Sequence, residues 1–114
     1  MSKRDMKLYL EDILVSIKRI ESYTKSLSLK EFEGDVMTTD AVVRNLEIIG
    51  EAARNVPKEF RLKHVDVPWE KMVSMRNKVI HEYFGVDFEI LWKTIHEDLP
   101  PLKGQVARLL KVTS

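Results

Sequence analysis

Cysteine is absent from this chain of 114 residues. That excludes disulfides, thiolate metal sites and a cysteine nucleophile, and it fits a reducing compartment. Glycine and proline are scarce, four of each, so the chain reads as helical rather than turn-rich. No stretch approaches the ~18 consecutive apolar residues of a membrane span. The N-terminus, Met1-Ser2-Lys3-Arg4-Asp5, leads into a charged amphipathic run and not into an apolar signal core. An excess of one charge is also missing. Nineteen Lys and Arg against 18 Asp and Glu leave a net charge of +1, so nucleic-acid contact would need a local patch. Glycine-rich phosphate loops, zinc-ligand spacing, a Ser-His-Asp arrangement, internal repeats and low-complexity tracts are not found. A soluble, cytoplasmic protein with no cofactor, no metal and no membrane contact is expected.

What is present is 44% hydrophobic and 32% charged, enough for one domain over residues 1–114 with a single core. Met6, Leu10, Ile13, Ile17 and Ile20 step by four and three, predicting a first helix from about Lys3 to Ser26. Ser28 to Asp35 reads as a connection. Thr38 or Thr39 is the expected N-cap of a second helix, with Asp40 in its first turn and Val42, Leu46, Ile49, Ala53 and Val56 as its core stripe before Pro57. Arg61 to Asp66 is a polar link with room for one short turn. Pro68 suits the first turn of a third helix that runs to a C-cap at Gly85. Asp87 is the expected cap of a fourth helix through Leu99. Pro100-Pro101 should break it, and a last helix takes Leu102 to Val112. The fold class is all-α, an up-and-down bundle of four to five helices.

One charge interrupts the pattern. With Arg76 at 0° and ~100° per residue, Trp69, Met72, Val73, Val79, Ile80 and Tyr83 all fall within about 60° of it, while Glu70, Ser74, Asn77, Lys78 and His81 take the opposite arc. A permanent cation on an apolar face needs a partner or a cleft. The plain structural explanation is pairing with Glu47 or Glu51 of the second helix, which does not exclude catalysis. Glu47 and Glu51 lack a histidine at helical spacing, so they read as partners for arginine rather than metal ligands. Arg44 and Asn45 flank the same stripe, and Gly50 in mid-helix implies close approach of another helix. Asn77 either orients a phosphate or the His81 ring, or belongs to a solvated face. Trp69 and Trp92 read as core or interface anchors, and His64 and His96 as surface residues.

Arg76, four spacers, His81, one spacer and Tyr83 form the hallmark of HEPN-domain proteins, and the chain resembles their HepT-like branch over nearly its whole length. Asp40-Ala41-Val42-Val43-Arg44-Asn45-Leu46-Glu47-Ile48-Ile49-Gly50-Glu51-Ala52 is similar to the family's second-helix signature. Val67-Pro68-Trp69, Met75-Arg76-Asn77, His81-Glu82-Tyr83-Phe84 and Trp92 match the active-site helix and the one after it. The resemblance implies a homodimeric, HEPN-like helical bundle that cuts RNA without a metal, as the toxin of a type II or type VII-like toxin–antitoxin pair. It implies Arg76 and His81 as the catalytic pair, with Asn77, Glu47, Glu51 and Arg44 in support. A cognate nucleotidyltransferase antitoxin would silence it, and Tyr83 is the candidate acceptor of AMP.

The chemistry of the residues agrees. Metal-free RNA cleavage needs a base for the 2′-hydroxyl proton, an acid for the leaving oxygen and a cation for the phosphorane. Histidine titrates near neutrality, with a reference pKa of ~6.5, and arginine offers a planar fork to phosphate oxygens. On a regular helix His81 would sit ~140° around from Arg76 and ~7.5 Å along, so either the helix distorts near Gly85 or residues of two protomers combine. Two other functions compete: a non-catalytic dimer that binds substrate or nucleotide for a partner nucleotidyltransferase, and a plain dimeric adaptor.

Overall fold

The computed structural model describes residues 3–81 and 85–113, without the side chains at positions 3, 4, 80 and 81. Its long helices are α1 (Lys3–Thr24), α3 (Val36–Asn55), α5 (Trp69–Val79) and α7 (Leu99–Thr113), with shorter α2 (Leu29–Glu33), α4 (Lys58–Lys63) and α6 (Phe88–Lys93) between them. The all-α bundle is as expected. No helix among the described residues is long and apolar enough to cross a membrane.

The core follows the predicted stripes. Leu10, Ile13, Ile17 and Ile20 of α1 are fully buried against Val42, Leu46, Ile49 and Ala53 of α3, with Leu99, Leu102 and Val106 of α7 completing the same cluster. Cross-helix contacts show neighbouring helices running in opposite directions. Glu21 near the end of α1 pairs with Lys103 near the start of α7 at 2.9 Å. Glu47 and Gly50 of α3 meet α5 in reverse order, at Arg76 and Val73. Trp69 is buried as an anchor, its indole N–H donating to the His64 carbonyl at 3.0 Å.

Several boundaries differ from the sequence reading, each for a local reason. Residues 28–35 were expected as a connection, yet they hold α2. Ser28 and Glu31 form a reciprocal capping box there, and Phe32 is driven into the core, edge-on to Phe88 and against Trp92. The cap of α3 is Asp35, not Thr38 or Thr39. The Asp35 carboxylate accepts the Thr38 backbone N–H at 3.0 Å and its hydroxyl at 2.7 Å, while Thr39 is buried and donates to the Phe32 carbonyl. The polar link expected from Arg61 to Asp66, with room for one short turn, begins as the last half of α4, which starts directly after Pro57 and ends at Lys63.

Helix α5 was expected to reach Gly85 but stops at Val79. Its Val79 carbonyl accepts the Asp87 N–H at 2.7 Å, which takes it out of the helical ladder. Two short strands follow, β1 (Ile80–His81) and β2 (Gly85–Val86), antiparallel with Ile80 opposite Val86 and His81 opposite Gly85. Gly85 has φ +76°, the left-handed region where a side chain would be strained. It is therefore a ladder residue and not the C-cap of α5. Asp87 caps α6 as predicted, accepting the Ile90 N–H at 3.1 Å.

The break expected at Pro100-Pro101 does not occur. A π-helical turn, Thr94–Asp98, joins α6 to α7, with the Leu99 N–H reaching back five residues to the Thr94 carbonyl. That register shift brings both prolines into the first turn of α7, where a missing N–H costs little.

Candidate active-site cleft

Between α3 and α5 lies a cleft of about 340 Å³ lined by Arg44, Leu46, Glu47, Gly50, Glu51, Arg54, Val73, Arg76 and Asn77. Its shape begins with a glycine. A Cβ on Gly50 would stand 3.1 Å from the Val73 carbonyl oxygen and 3.3 Å from that of Met72, so any side chain there would push the two backbones apart by a few tenths of an ångström. The helix approach inferred from Gly50 is thus with α5. One turn away from that contact, the same antiparallel seam sets Glu47 opposite Arg76.

Arg76 does not lie at the centre of the buried face. Trp69, Met72, Met75 and Val79 are the buried residues of α5, a stripe centred about 45° from Arg76. Met75, which the face drawn around Arg76 left out, takes the inward position. Arg76 sits at the margin with its side chain 44% exposed. Its Nε donates to Glu47 Oε1 at 2.9 Å, and Nη1 reaches Asn77 Oδ1 at 3.4 Å. Its remaining donors have no partner among the described residues. A guanidinium held at its Nε edge keeps most of its fork for a bound anion.

Of the two acids considered as partners for Arg76, Glu47 is the one used. It also receives Arg44 Nη1 at 3.4 Å. Glu51 instead pairs with Arg54 at 3.0 Å. Arg54 was not singled out from the sequence. The available signal was its place ten residues beyond Arg44, so that Arg44, Glu47, Glu51 and Arg54 share an arc of about 80° on one helix face. Asn77 lines the cleft through its contact with Arg76.

His81 enters β1, its backbone opposite Gly85. Since α5 ends at Val79, the helical offset of ~140° between Arg76 and His81 does not describe this chain, and the backbone is extended at the histidine. The side chain of His81 and all of Tyr83, the expected AMP acceptor, lie outside the described residues. Among the described residues no three His, Asp or Glu side chains gather as a metal-holding group. His96, which was expected at the surface, is exposed and stacks on Trp92 with 4.2 Å between ring centroids. His64 is half-buried beside Phe60.

The family model described as "Ribonuclease HepT-like" matches residues 13–109, a span that includes both walls of the cleft and the Arg76 to His81 segment. The chain is 50% identical over 109 residues to "Probable ribonuclease HepT" of Thermococcus cleftensis, covering 96% of this chain and 99% of that protein. It is 48% identical over 106 residues to a "Putative RNase" of Methanocaldococcus jannaschii, covering 93% and 97%. A "Putative RNase" of Caldanaerobacter subterraneus is also 48% identical over 103 residues, with 90% and 92% covered. No solved structure matches the chain.

Proposed function

Since the chain belongs to the ribonuclease HepT-like family, we propose that it is a metal-independent endoribonuclease whose reacting phosphate sits on Arg76. The observation that carries this reading is the Arg76 guanidinium. It is exposed at a cleft and fixed through Nε by Glu47, with donors left over for an anion. His81 takes the 2′-hydroxyl proton. The 2′-oxygen then forms its bond to phosphorus, the bond to the 5′-oxygen breaks, and a protonated histidine returns a proton to that leaving oxygen. Products carry a 2′,3′-cyclic phosphate and a 5′-hydroxyl. Arg76 stabilises the charge that builds on the phosphorane.

One imidazole cannot be base and acid in the same instant. A two-fold homodimer that brings two Arg76–His81 sets to a shared cleft supplies both. In the cell the protein acts as the toxin of a toxin–antitoxin pair, restrained by a cognate nucleotidyltransferase. Tyr83, two residues past His81, is the acceptor of AMP. An added phosphodiester there would bring negative charge close to the site and repel RNA.

The test is purified protein, free of its partner, incubated with total RNA with and without EDTA. Cleavage that persists in EDTA and leaves 2′,3′-cyclic ends is the expected result. Loss of cleavage in EDTA, restored by magnesium, would sink the metal-free mechanism. RNA binding without any cleavage would favour the non-catalytic module. Intact-mass spectra of protein co-expressed with the nucleotidyltransferase should show whole AMP additions that Tyr83→Phe abolishes. Additions persisting on that variant would place the acceptor elsewhere.

A further inference from the structure

The cleft holds more cations than one phosphate requires. Arg44 and Arg54 stand at opposite ends of its α3 wall, with Arg76 reaching in from α5 opposite Glu47. The two carboxylates on that wall are both engaged. Glu47 is shared by Arg44 and Arg76, and Glu51 is held by Arg54. Three guanidinium groups against two carboxylates leave the cleft positive, in a chain whose total charge is only +1. The side chains of Arg44 and Arg54 are 70% and 62% exposed, so each can exchange or share its glutamate with an incoming anion at little cost.

We propose that Arg44 and Arg54 are phosphate-binding residues flanking Arg76, and that the cleft is a track for a short run of single-stranded RNA. This rests on the ribonuclease reading for the nature of the polymer, and adds which residues hold it and in what form. Ten residues of α3 separate the two arginines, about 15 Å along the axis. At the ~3.4 Å per nucleotide of a stacked strand, that distance matches the backbone of roughly four nucleotides, and fewer if the strand is extended. The recess, at about 340 Å³, is smaller than such a run, so backbone phosphates seat along it and most of the bases stay outside. The chemistry requires an unpaired strand, because the 2′-oxygen must swing into line with the departing 5′-oxygen, and base pairing holds it out of line. Glu47 and Glu51 then serve as positioning residues, orienting the forks while cancelling part of their charge.

The experiment measures binding of a 2′-O-methyl hexaribonucleotide, which cannot be cut, across a salt series. It uses wild type, Arg44→Gln, Arg54→Gln and, as a control outside the cleft, Lys58→Gln at the first residue of α4. Circular dichroism and Tm confirm that each variant is folded. Loss of one phosphate contact should lower the log–log salt slope by about 0.7, with affinity weakened roughly fivefold, for each arginine variant and not for Lys58→Gln. On a cleavable RNA, the same two variants should raise KM with kcat nearly unchanged. The gain in kcat/KM from a dinucleotide to a hexanucleotide should also shrink in both.

Unchanged slopes in both arginine variants of a protein that still cuts RNA would overturn the track and leave the ribonuclease reading intact. Equal slope changes in all three variants would overturn it too, since charge anywhere would then suffice. Slopes that fall in the arginine variants alone, in a protein that cuts nothing, would uphold the track as a binding site and defeat the cleavage reading instead.

Discussion

Two of the recesses beside α5 differ in kind. The larger, about 550 Å³, lies at its N-terminal end where α4 and the loop after it meet the helix, and is lined by Leu62, Val65, Val67, Pro68 and Trp69 together with the charged Lys58, Arg61, Glu70 and Lys71. Of its charged residues, Arg61 stands 3.9 Å from Glu70, and Lys71 pairs with Asp98 at 3.0 Å. The smaller, about 340 Å³, lies against α3 and is walled by three arginines, two glutamates and an asparagine. The first exists because a helix of six residues ends short of its neighbour, leaving apolar side chains such as Leu62 and Val65 exposed. The second exists because Gly50 draws two long helices together and their facing charges must pair. Volume therefore reports where packing stops. What sets the smaller one apart is a carboxylate of α3, Glu47, held at 2.9 Å by a guanidinium that reaches in from α5.

The sharpest way to break this contrast is to disarm each recess in turn. Arg76→Ala should cut kcat on RNA by about 100- to 1,000-fold, the usual loss for a donor to a developing oxyanion. Leu62→Ser in the larger recess should leave the rate unchanged. Equal loss from both would mean that the larger recess also handles substrate.

Gly50→Val comes next in size. Its side chain would press on backbone oxygens of α5, at a cost of roughly 1–3 kcal/mol measured by urea unfolding. By spreading the seam it should also separate Glu47 from Arg76 and lower cleavage. Gly50→Ala should cost less, because helix propensity returns about 1 kcal/mol. A Gly50→Val protein with native stability and rate would show that close approach is not what positions Arg76.

Glu47→Gln should reduce kcat about tenfold with little change in KM, because the amide holds Arg76 less firmly but leaves its charge. Stability should move by less than about 1 kcal/mol, as for other half-exposed pairs. A large rise in KM instead would make Glu47 a substrate contact rather than a positioning residue.

The smallest effect lies away from both recesses, at the α2–α3 corner. Hydrogen bonds from the Thr38 side chain and backbone hold the Asp35 carboxyl below its ordinary value of 3.8. The Ser28 backbone and hydroxyl do the same for Glu31, below 4.5. A depressed carboxylate adds stability that is complete above its unfolded pKa and lost as pH falls through its folded one. Acid should therefore loosen this corner from about pH 4 downward. Amide exchange at Thr38 and Glu31 checks it, and Asp35→Asn should flatten the Thr38 response.

The bundle and its core were legible in the sequence because long stripes such as Leu10 to Ile20 leave no other face to bury. Gly50 likewise announced the close approach of another helix, though not that it would be α5. What escaped was decided by short-range hydrogen bonding. The Ser28–Glu31 box made a helix of an expected loop. The Asp87 N–H ended α5 at Val79, and a π-turn carried the chain through two prolines. At the site, apolar periodicity named Arg76 as anomalous but could not say which acid would answer it. Nor could it single out Arg54, because an exposed arginine three residues from a glutamate is an ordinary feature of any helix surface.

The most direct measurement is a structure of the protein with a bound 2′-O-methyl oligoribonucleotide, which occupies the site without reacting. A backbone phosphate within hydrogen-bond distance of the Arg76 guanidinium, inside the α3–α5 cleft, is the expected result. A strand seated in the larger recess between α4 and α5, with Arg76 still bound only to Glu47 and Asn77, would contradict it.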